Sequence, residues 1–315
     1  MMGTGPFAVP TMQGLFQTHH EVVALVTSPL RTQPGRPAVL SPMRQVAAEH
    51  GTEIFDPEQI NSSESQIRLS TYHADLYVVC DYGQILTAQT LATARLGGIT
   101  LHASLLPKYR GAAPINWAIY HGDRETGVTV IHMTPKVDAG PCVAQARTDI
   151  IPDETAVELE QRLAQIGDWL VRRTIDSFEA GRLEALPQNP ALASRAPRLK
   201  KTDGQIDWSR PAVAIHNQIR ALEPWPKTYT YWFRDQGAPL RLILNAIDVQ
   251  QAPPAAAGTV LEAAGVRLVV AAGQGAVVIR ALQPAGKREL SAEEFLRGYH
   301  VRPGDRFGPE SPAKG

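Results

Sequence analysis

The chain has 315 residues, with 31 Lys plus Arg against 31 Asp plus Glu and 43% hydrophobic residues. That length accommodates two domains, and the balanced charge excludes a global field for nucleic acid, so any RNA contact must come from local basic patches. Its two cysteines, Cys80 and Cys142, form no Cys-x-x-Cys pair, which argues against a disulfide framework or a structural zinc site and fits a reducing cytoplasm.

Neither a run of 18 apolar residues nor a basic-then-apolar leader occurs, so no membrane span or signal peptide is expected. Residues 1–10 read as a turn entering a helix through Met12 and Leu15. In an α/β unit a strand normally precedes such a turn. Here either the start is late or most of the first strand is missing. Gly3 and Gly5 suit a ligand cradle or a plain tight turn equally well. Residues 21–27 predict a buried strand and 28–39 a polar loop holding Arg31 and Arg36. Ser41 with Pro42 behind it opens a helix. A strand over 52–55, a helix over 62–72 and an apolar strand over 76–80 follow. Beyond them lie the loop Asp81-Tyr82-Gly83-Gln84-Ile85-Leu86 and a helix with Leu91 and Leu96.

The most informative stretch is 97–115. Ile99, Leu101 and Ala103 predict a short buried strand after Gly97-Gly98, with His102 near its end. Ser104-Leu105-Leu106-Pro107 then leads through Arg110-Gly111 into a helix beginning at Pro114. In an open parallel sheet, ligands bind outside the carboxyl ends of the strands, and a histidine there can exchange protons near neutral pH. A strand over 127–133 leads to Asp138, a strand over 142–150 sits at the sheet edge, and 153–180 form an amphipathic helix. Strands alternating with helices predict a doubly wound parallel, Rossmann-like α/β domain.

Residues 186–200 show no period and read as a linker. A helix over 211–222 is stopped by Pro224 and Pro226. Five short strands, over 228–233, 240–249, 258–261, 266–271 and 276–282, predict a small β-barrel of the oligonucleotide-binding (OB-like) kind. Ser291 and Glu294 form a capping box, and disorder is expected past Phe307. The domains are therefore 1–185, the linker 186–200, and 201–315.

The run Leu-His-Ala-Ser-Leu-Leu-Pro-Lys-Tyr-Arg-Gly-Ala-Ala-Pro-Ile, residues 101–115, resembles the signature of the 10-formyltetrahydrofolate-dependent formyltransferases, in particular those acting on methionyl-tRNA. The resemblance continues through Lys136-Val137-Asp138-Ala139-Gly140 and the 200–208 stretch, so it covers nearly the whole chain. It implies that His102 and Asp138 carry the chemistry, with Thr100 where the family has Asn. Ser104, Leu105, Leu106, Pro107, Tyr82, Gly83 and Ile85 would contact folate, and Asp81 stands where the family usually has Ala. Arg31 and Arg36 remain from a longer basic loop that meets the tRNA acceptor end in the family. Lys200, Lys201 and Lys287, spaced among Arg210, Arg220, Arg280 and Arg288, are compatible with phosphate contacts. The co-substrate implied is 10-formyltetrahydrofolate, the partner methionyl-initiator-tRNA, and the working form a monomer.

Formyl transfer from a folate nitrogen to an amine needs an oxyanion donor, a proton shuttle and a group that sets the shuttle's charge. His102 suits shuttle or donor, and Asp138 can hold the imidazole cationic. Thr100 offers one O–H on a shorter arm where Asn would offer two N–H donors. No metal is required, and no His/Cys ligand spacing suggests one. Two other readings stay open: a formyltransferase for a small amine such as an amino sugar nucleotide, and a folate- or tRNA-binding relative weakened in catalysis by Thr100.

Overall fold

A computed structural model describes residues 1–30, 41–234 and 237–310, so Arg31 and Arg36 lie outside the described residues. The chain divides into two compact units: Met1–Ile115, Arg124–Ile150 and Glu158–Pro197 make the first, and Asn116–Asp123, Ile151–Val157 and Arg198–Gly315 the second.

The first unit opens with α1 (Val9–Leu15), β1 (Leu25–Val26), α2 (Pro42–Glu49), β2 (Ile54–Phe55), α3 (Ser63–Thr71) and β3 (Tyr77–Cys80). Next come α4 (Ala88–Leu91), β4 (Gly98–His102), β5 (Glu125–His132), β6 (Cys142–Asp149) and α6 (Ala156–Glu179), while α5 (Pro114–His121), between β4 and β5, falls mostly in the second unit. Helix starts are chemically marked: Ser62 accepts from the Ser65 amide and Thr87 from the Thr90 amide, satisfying N–H groups that have no partner inside the helix. Residues 21–24 do not join β1, and the helix expected through Leu96 ends after one turn at Leu91.

The expected first strand is a single residue. Met2 bridges in parallel to both Val26 and Val79. The Met2 amide donates to Val78 O at 2.8 Å, Val26 N to Met1 O at 2.8 Å, and Cys80 N to Met2 O at 2.9 Å. These bonds join the β1–β2 pair to the β3-β4-β5-β6 sheet. β1 with β2 and β3 with β4 run parallel, as a Rossmann-like unit requires.

The expected parallel order holds through β4, and β5 and β6 depart from it, pairing antiparallel to β4 and to each other. The reason is where the chain travels. Residues 103–124 leave β4 beyond His102 and enter β5 four residues beyond Thr129, its pairing partner. The connection starts and finishes at one edge of the sheet, so it is not a crossover. It covers the edge on which His102 stands. On the other side of β4, α6 comes close through Gly167, where a Cβ would lie 2.4 Å from Leu101 Cδ2.

The second unit contains α7 (Ala212–Ala221), β7 (Thr228–Phe233), β8 (Leu240–Gln250), β9 (Val260–Ala264), β10 (Arg267–Ala271), β11 (Ala276–Pro284), β12 (Leu290–Ser291), α8 (Ala292–Gly298) and β13 (Arg306–Gly308). The strand order is β13-β7-β8-β11-β10-β9, with β12 on β11. Thr259 bridges to Arg306, Phe307 N donates to Gly258 O at 2.7 Å and Val260 N to Asp305 O at 2.8 Å, so the two edges meet. A curled antiparallel sheet whose edges meet is an OB-like barrel. The disorder expected past Phe307 is corrected at Gly308, which belongs to β13 and pairs with Tyr231 of β7, while residues 311–315 lie outside the described residues. The Ser291–Glu294 capping box opens α8.

Inside the barrel, Phe295 is fully buried, with its ring centroid 6.1 Å from Trp232 and 4.5 Å from Tyr299. Phe295→Ala should therefore cost about 3–5 kcal/mol from lost burial and the cavity left behind. Urea unfolding followed by tryptophan fluorescence reads this; a loss below about 1 kcal/mol would mean that α8 is not a core element.

Candidate functional site

His102 ends β4 with its ring buried, its side chain 8% exposed. Nε2 lies 2.8 Å from the Tyr109 carbonyl oxygen. Nδ1 lies 3.6 Å from Asp138 Oδ2, and the Asp138 side chain is 15% exposed. Both ring nitrogens thus face oxygen acceptors. The carbonyl distance is a hydrogen bond and the carboxylate distance an ion-pair contact. With one proton on the ring, Nε2–H serves Tyr109 and leaves Nδ1 toward the carboxylate. A ring protonated on both nitrogens donates in both directions.

Asp138 reaches His102 from the far end of β5. His132, the last residue of β5, pairs with Ile99, and the Met133 amide donates to Gly98 O. The segment after Met133 begins at the end of β4 opposite His102 and comes back along the sheet. Three contacts hold its return. Gly111 N donates to Asp138 Oδ2 at 2.8 Å. Gln188 Nε2 donates to Asp138 O at 2.8 Å and to Gly140 O at 2.7 Å. Arg110 in turn holds the Gln188 oxygen from Nη2 at 2.6 Å and from Nε at 3.1 Å. Asp138 has a left-handed backbone, φ +49°, which an Asp tolerates better than most residues.

Gln188 belongs to the stretch read as a linker. The part of 186–200 that falls in the first unit is laid against it as far as Pro197. Leu186 and Cys142 exchange two backbone bonds of 2.8 Å, Ser194 Oγ accepts from Tyr109 N at 2.9 Å, and Ala196 N donates to Arg110 O at 2.7 Å. Gly111 is needed there: its φ is +124°, and a Cβ would lie 2.5 Å from Ala196 O. Sequence reasoning missed Gln188, Ser194 and Gly111 as site-builders. A glutamine in an aperiodic polar stretch carries no local signal, whereas Arg110-Gly111 was visible inside the motif.

The Ser104–Pro107 segment is tightly engaged within the protein. Ser104 Oγ donates to Lys108 O at 2.6 Å, and Thr129 Oγ1 donates to Ser104 O at 2.6 Å while accepting from Leu106 N at 3.1 Å. Gln145 Nε2 donates to Leu106 O at 2.8 Å. Leu106 is core. Leu105 and Pro107 are half-buried and keep surface available for a ligand. Thr100 is half-buried two residues before His102, so the two side chains share a face of β4.

On the neighbouring strand end, Asn61 Nδ2 donates to Ile85 O at 2.7 Å and Gln84 Oε1 accepts from Ile60 N at 2.9 Å, fixing the loop after β3. Ile85 is 60% exposed, and Gly83 is exposed with open space where a Cβ would be. Tyr82 packs toward the core of the first unit. Its hydroxyl is buried without a hydrogen-bond partner, and burial pushes its pKa up to about 12. The exposed Ile85 side chain and the open Gly83 backbone offer apolar and backbone surface on this loop, whereas Leu105 comes close to Gly127 of β5.

Asp81 opens this loop. It reaches solvent at its outer edge, yet it sits tightly over Gly5, where a Cβ would lie 1.7 Å from its Oδ2. Burial pushes the Asp81 carboxyl up, against the downward pull of the Gly5 amide hydrogen bond. Burial, and then the charge of Asp81, push Glu160 up as well. A carboxyl raised in the folded state contributes stability below the unfolded carboxylate range and loses it as pH rises through the folded value. The pair therefore costs stability at neutral pH. Asp81→Asn should raise the urea midpoint at about pH 7.5 and leave it unchanged at about pH 3. A midpoint lowered at neutral pH would show that the Asp81 charge is needed where it stands.

Lys200, Lys201 and Lys287 are exposed, and no ion pair engages their ammonium groups among the described residues. The basic residues spaced between them are otherwise committed. Arg280 pairs with Asp248 and Arg288 with Glu294. Arg210 donates to the Tyr120 hydroxyl at 2.7 Å and lies over that ring, and Arg220 donates to Asn217 and to Glu154 O. No described helix is long and apolar enough to cross a membrane.

A buried histidine–aspartate pair at the end of β4 of an α/β sheet, on a chain that also folds an OB-like barrel, suits a group-transfer enzyme. The chain belongs to the formyl transferase family: residues 1–175 match the formyl transferase model and 198–300 the model of the formyl transferase C-terminal domain. A protein of Rhodopirellula baltica named methionyl-tRNA formyltransferase is 43% identical over 98% of this chain and 95% of its own. One of that name from Symbiobacterium thermophilum is 40% identical over 99% and 96%. Among solved structures, the N-formyltransferase of Helicobacter canadensis with folinic acid and dTDP-3-aminofucose has a TM-score of 0.66 at 16% identity, over 92% of this chain and 98% of its own. Aquifex aeolicus HypX with tetrahydrofolic acid scores 0.56 at 16% identity, over 82% of this chain and 47% of its own. Those two likenesses concern the fold.

Proposed function

We propose that this enzyme transfers the formyl group of 10-formyltetrahydrofolate to the amino group of methionyl-initiator-tRNA. The observation that carries the proposal is the His102–Asp138 pair, in a chain related along almost its whole length to proteins named for that reaction. Folate lies against Gly83, Ile85, Leu105 and Pro107, with Tyr82, Ser104 and Leu106 forming the fixed frame behind them. Bound there, it supplies the formyl group.

The reaction exchanges one C–N bond for another. The amine nitrogen attacks the formyl carbon, and the carbonyl π pair moves onto oxygen. Collapse restores the C=O bond and breaks the bond to the folate nitrogen, which takes a proton, while the new amide nitrogen gives one up. Net, one proton passes from amine to folate. His102 stands where a proton can be held and handed on, and the Asp138 carboxylate stabilises the ring when it carries charge. Tyr109 O fixes the Nε2 side, and Gly111 and Gln188 hold Asp138. Thr100, on the same face of β4, contributes one hydroxyl donor toward the developing oxyanion.

The domains divide the work: 1–185 carry folate and chemistry, 201–315 carry tRNA through Lys200, Lys201 and Lys287, and 186–200 connect them. On this reading the protein acts as a monomer in the cytoplasm, where its thiols Cys80 and Cys142 stay reduced.

His102→Ala should lower turnover with methionyl-tRNA by about 10²-fold or more, with folate affinity changed by no more than about threefold. A single-turnover formylation assay beside folate fluorescence titration separates the two. Turnover with a dTDP-amino sugar but none with methionyl-tRNA would move the substrate assignment to small amines.

Replacing Lys200, Lys201 and Lys287 together with Ala should weaken tRNA binding and flatten its salt dependence, by up to about three in the slope of log K against log salt. Filter binding at several salt concentrations measures it. A slope equal to that of the unaltered protein removes these lysines from the tRNA contact.

A further inference from the structure

A second cluster of functional side chains lies away from the His102–Asp138 pair and shares no residue with it. The turn after α1 carries His19 and His20, and the last turns of α6 carry Asp176 and Glu179. Asp176 and Glu179 are three residues apart and occupy one helix face. His19 Nε2 is 3.0 Å from Glu179 Oε2, and His20 Nε2 is 3.8 Å from Asp176 Oδ1. The imidazole centroids are 4.1 Å apart. The turn itself is pinned, since Thr18 Oγ1 donates to Leu15 O at 2.7 Å and accepts from His20 N at 3.2 Å.

We propose that His19, His20 and Glu179, with Asp176 beside them, bind a borderline divalent cation of the zinc class. One ligand atom from each of His19, His20 and Glu179 falls within a sphere of contact in which all lie within 4.8 Å of one another. Bonds of about 2.0–2.2 Å in a tetrahedron place ligand atoms about 3.3 Å apart. The existing spacing reaches that by small rotations of side chains on the surface. His20 Nε2 adds a second observation. It is shielded from solvent and has no hydrogen-bond partner, a state that a coordinate bond relieves.

The donor set selects the metal. Two imidazoles and a carboxylate suit zinc, whereas magnesium and calcium prefer all-oxygen shells. The carboxylates of Glu179 and Asp176 beside the two imidazoles supply negative charge that a divalent ion offsets. His20 and Glu179 also line a cavity of about 700 Å³ bounded by Val22, Val23, Tyr77 and Phe178, so water can complete the coordination shell from that side. Occupied, the site ties the turn after α1 to the end of the helix that packs on Leu101 of β4. The chemistry of formyl transfer makes no use of it. Ligand spacing in the sequence could not show it, because His19 and Glu179 are 160 residues apart.

The test uses the full chain, stripped with a chelator and titrated calorimetrically with zinc chloride. One equivalent should bind, and His20→Asn and Glu179→Gln should each weaken it by about tenfold or more. Both variants should melt at the unaltered temperature without metal, because neither side chain is needed in the core. Cobalt(II), used as a spectroscopic replacement, should give visible bands of a four-coordinate site that both substitutions abolish. Saturable zinc uptake unaffected by either substitution, or no saturable uptake at all, overturns the assignment.

Discussion

The structure of the reactive edge depends on one constraint: a buried imidazole whose two nitrogens both face oxygen. Tyr109 O stands 2.8 Å from one and Asp138 Oδ2 3.6 Å from the other. A ring in that setting cannot turn over without losing a hydrogen bond inside the protein, and a buried donor without a partner is costly. The loops around it can be understood as what is required to hold those two oxygens in place. Tyr109, itself in a left-handed conformation, is fixed by Ser194, and Asp138 by Gly111 and Gln188.

That arrangement draws on four separate stretches of chain. β4 supplies the histidine, its following connection supplies Tyr109 and Gly111, the segment after β5 supplies Asp138, and the segment after α6 supplies Gln188 and Ser194. The antiparallel course of β5 makes this geometry possible. A parallel β5 would need a crossover, and the connection from β4 would then leave the edge it now covers. The departure from an all-parallel sheet is therefore tied directly to the way the site is enclosed.

Asp81 places a second, different electrostatic demand on the same sheet. Its carboxyl is raised mainly by burial, and Glu160 on α6 is raised by its own burial and then by the Asp81 charge. The Tyr82–Ile85 loop, proposed above to meet the folate, thus starts beside an acidic group that disfavours its own ionised form. The His19–His20–Glu179 cluster at the far end of α6 belongs to another part of the same helix. α6 is therefore the element through which the sheet, the acidic pair and the His19–His20 turn are connected, with Gly167 permitting its close approach.

The alternation of elements, the barrel strands up to β11 and the His102 position were legible in the sequence, because these follow from local periodicity, turn residues and a fifteen-residue motif. Thr228–Phe233 was readable residue for residue from its alternating burial, and the Ser291 capping box from four letters. Strand direction and the assembly of the elements came from three-dimensional contacts alone. Met2 acts as strand because partners on both sides supply its hydrogen bonds, which no single-residue pattern can announce. β5 buries six consecutive residues as a parallel core strand does, so its local pattern could not give its sense. Asp138 was recognisable by its neighbours, but its return past the length of β4 was not, and Gln188 looked like linker. Each of these depends on contacts between residues distant along the chain, and long-range pairing leaves no periodicity in the segments it joins.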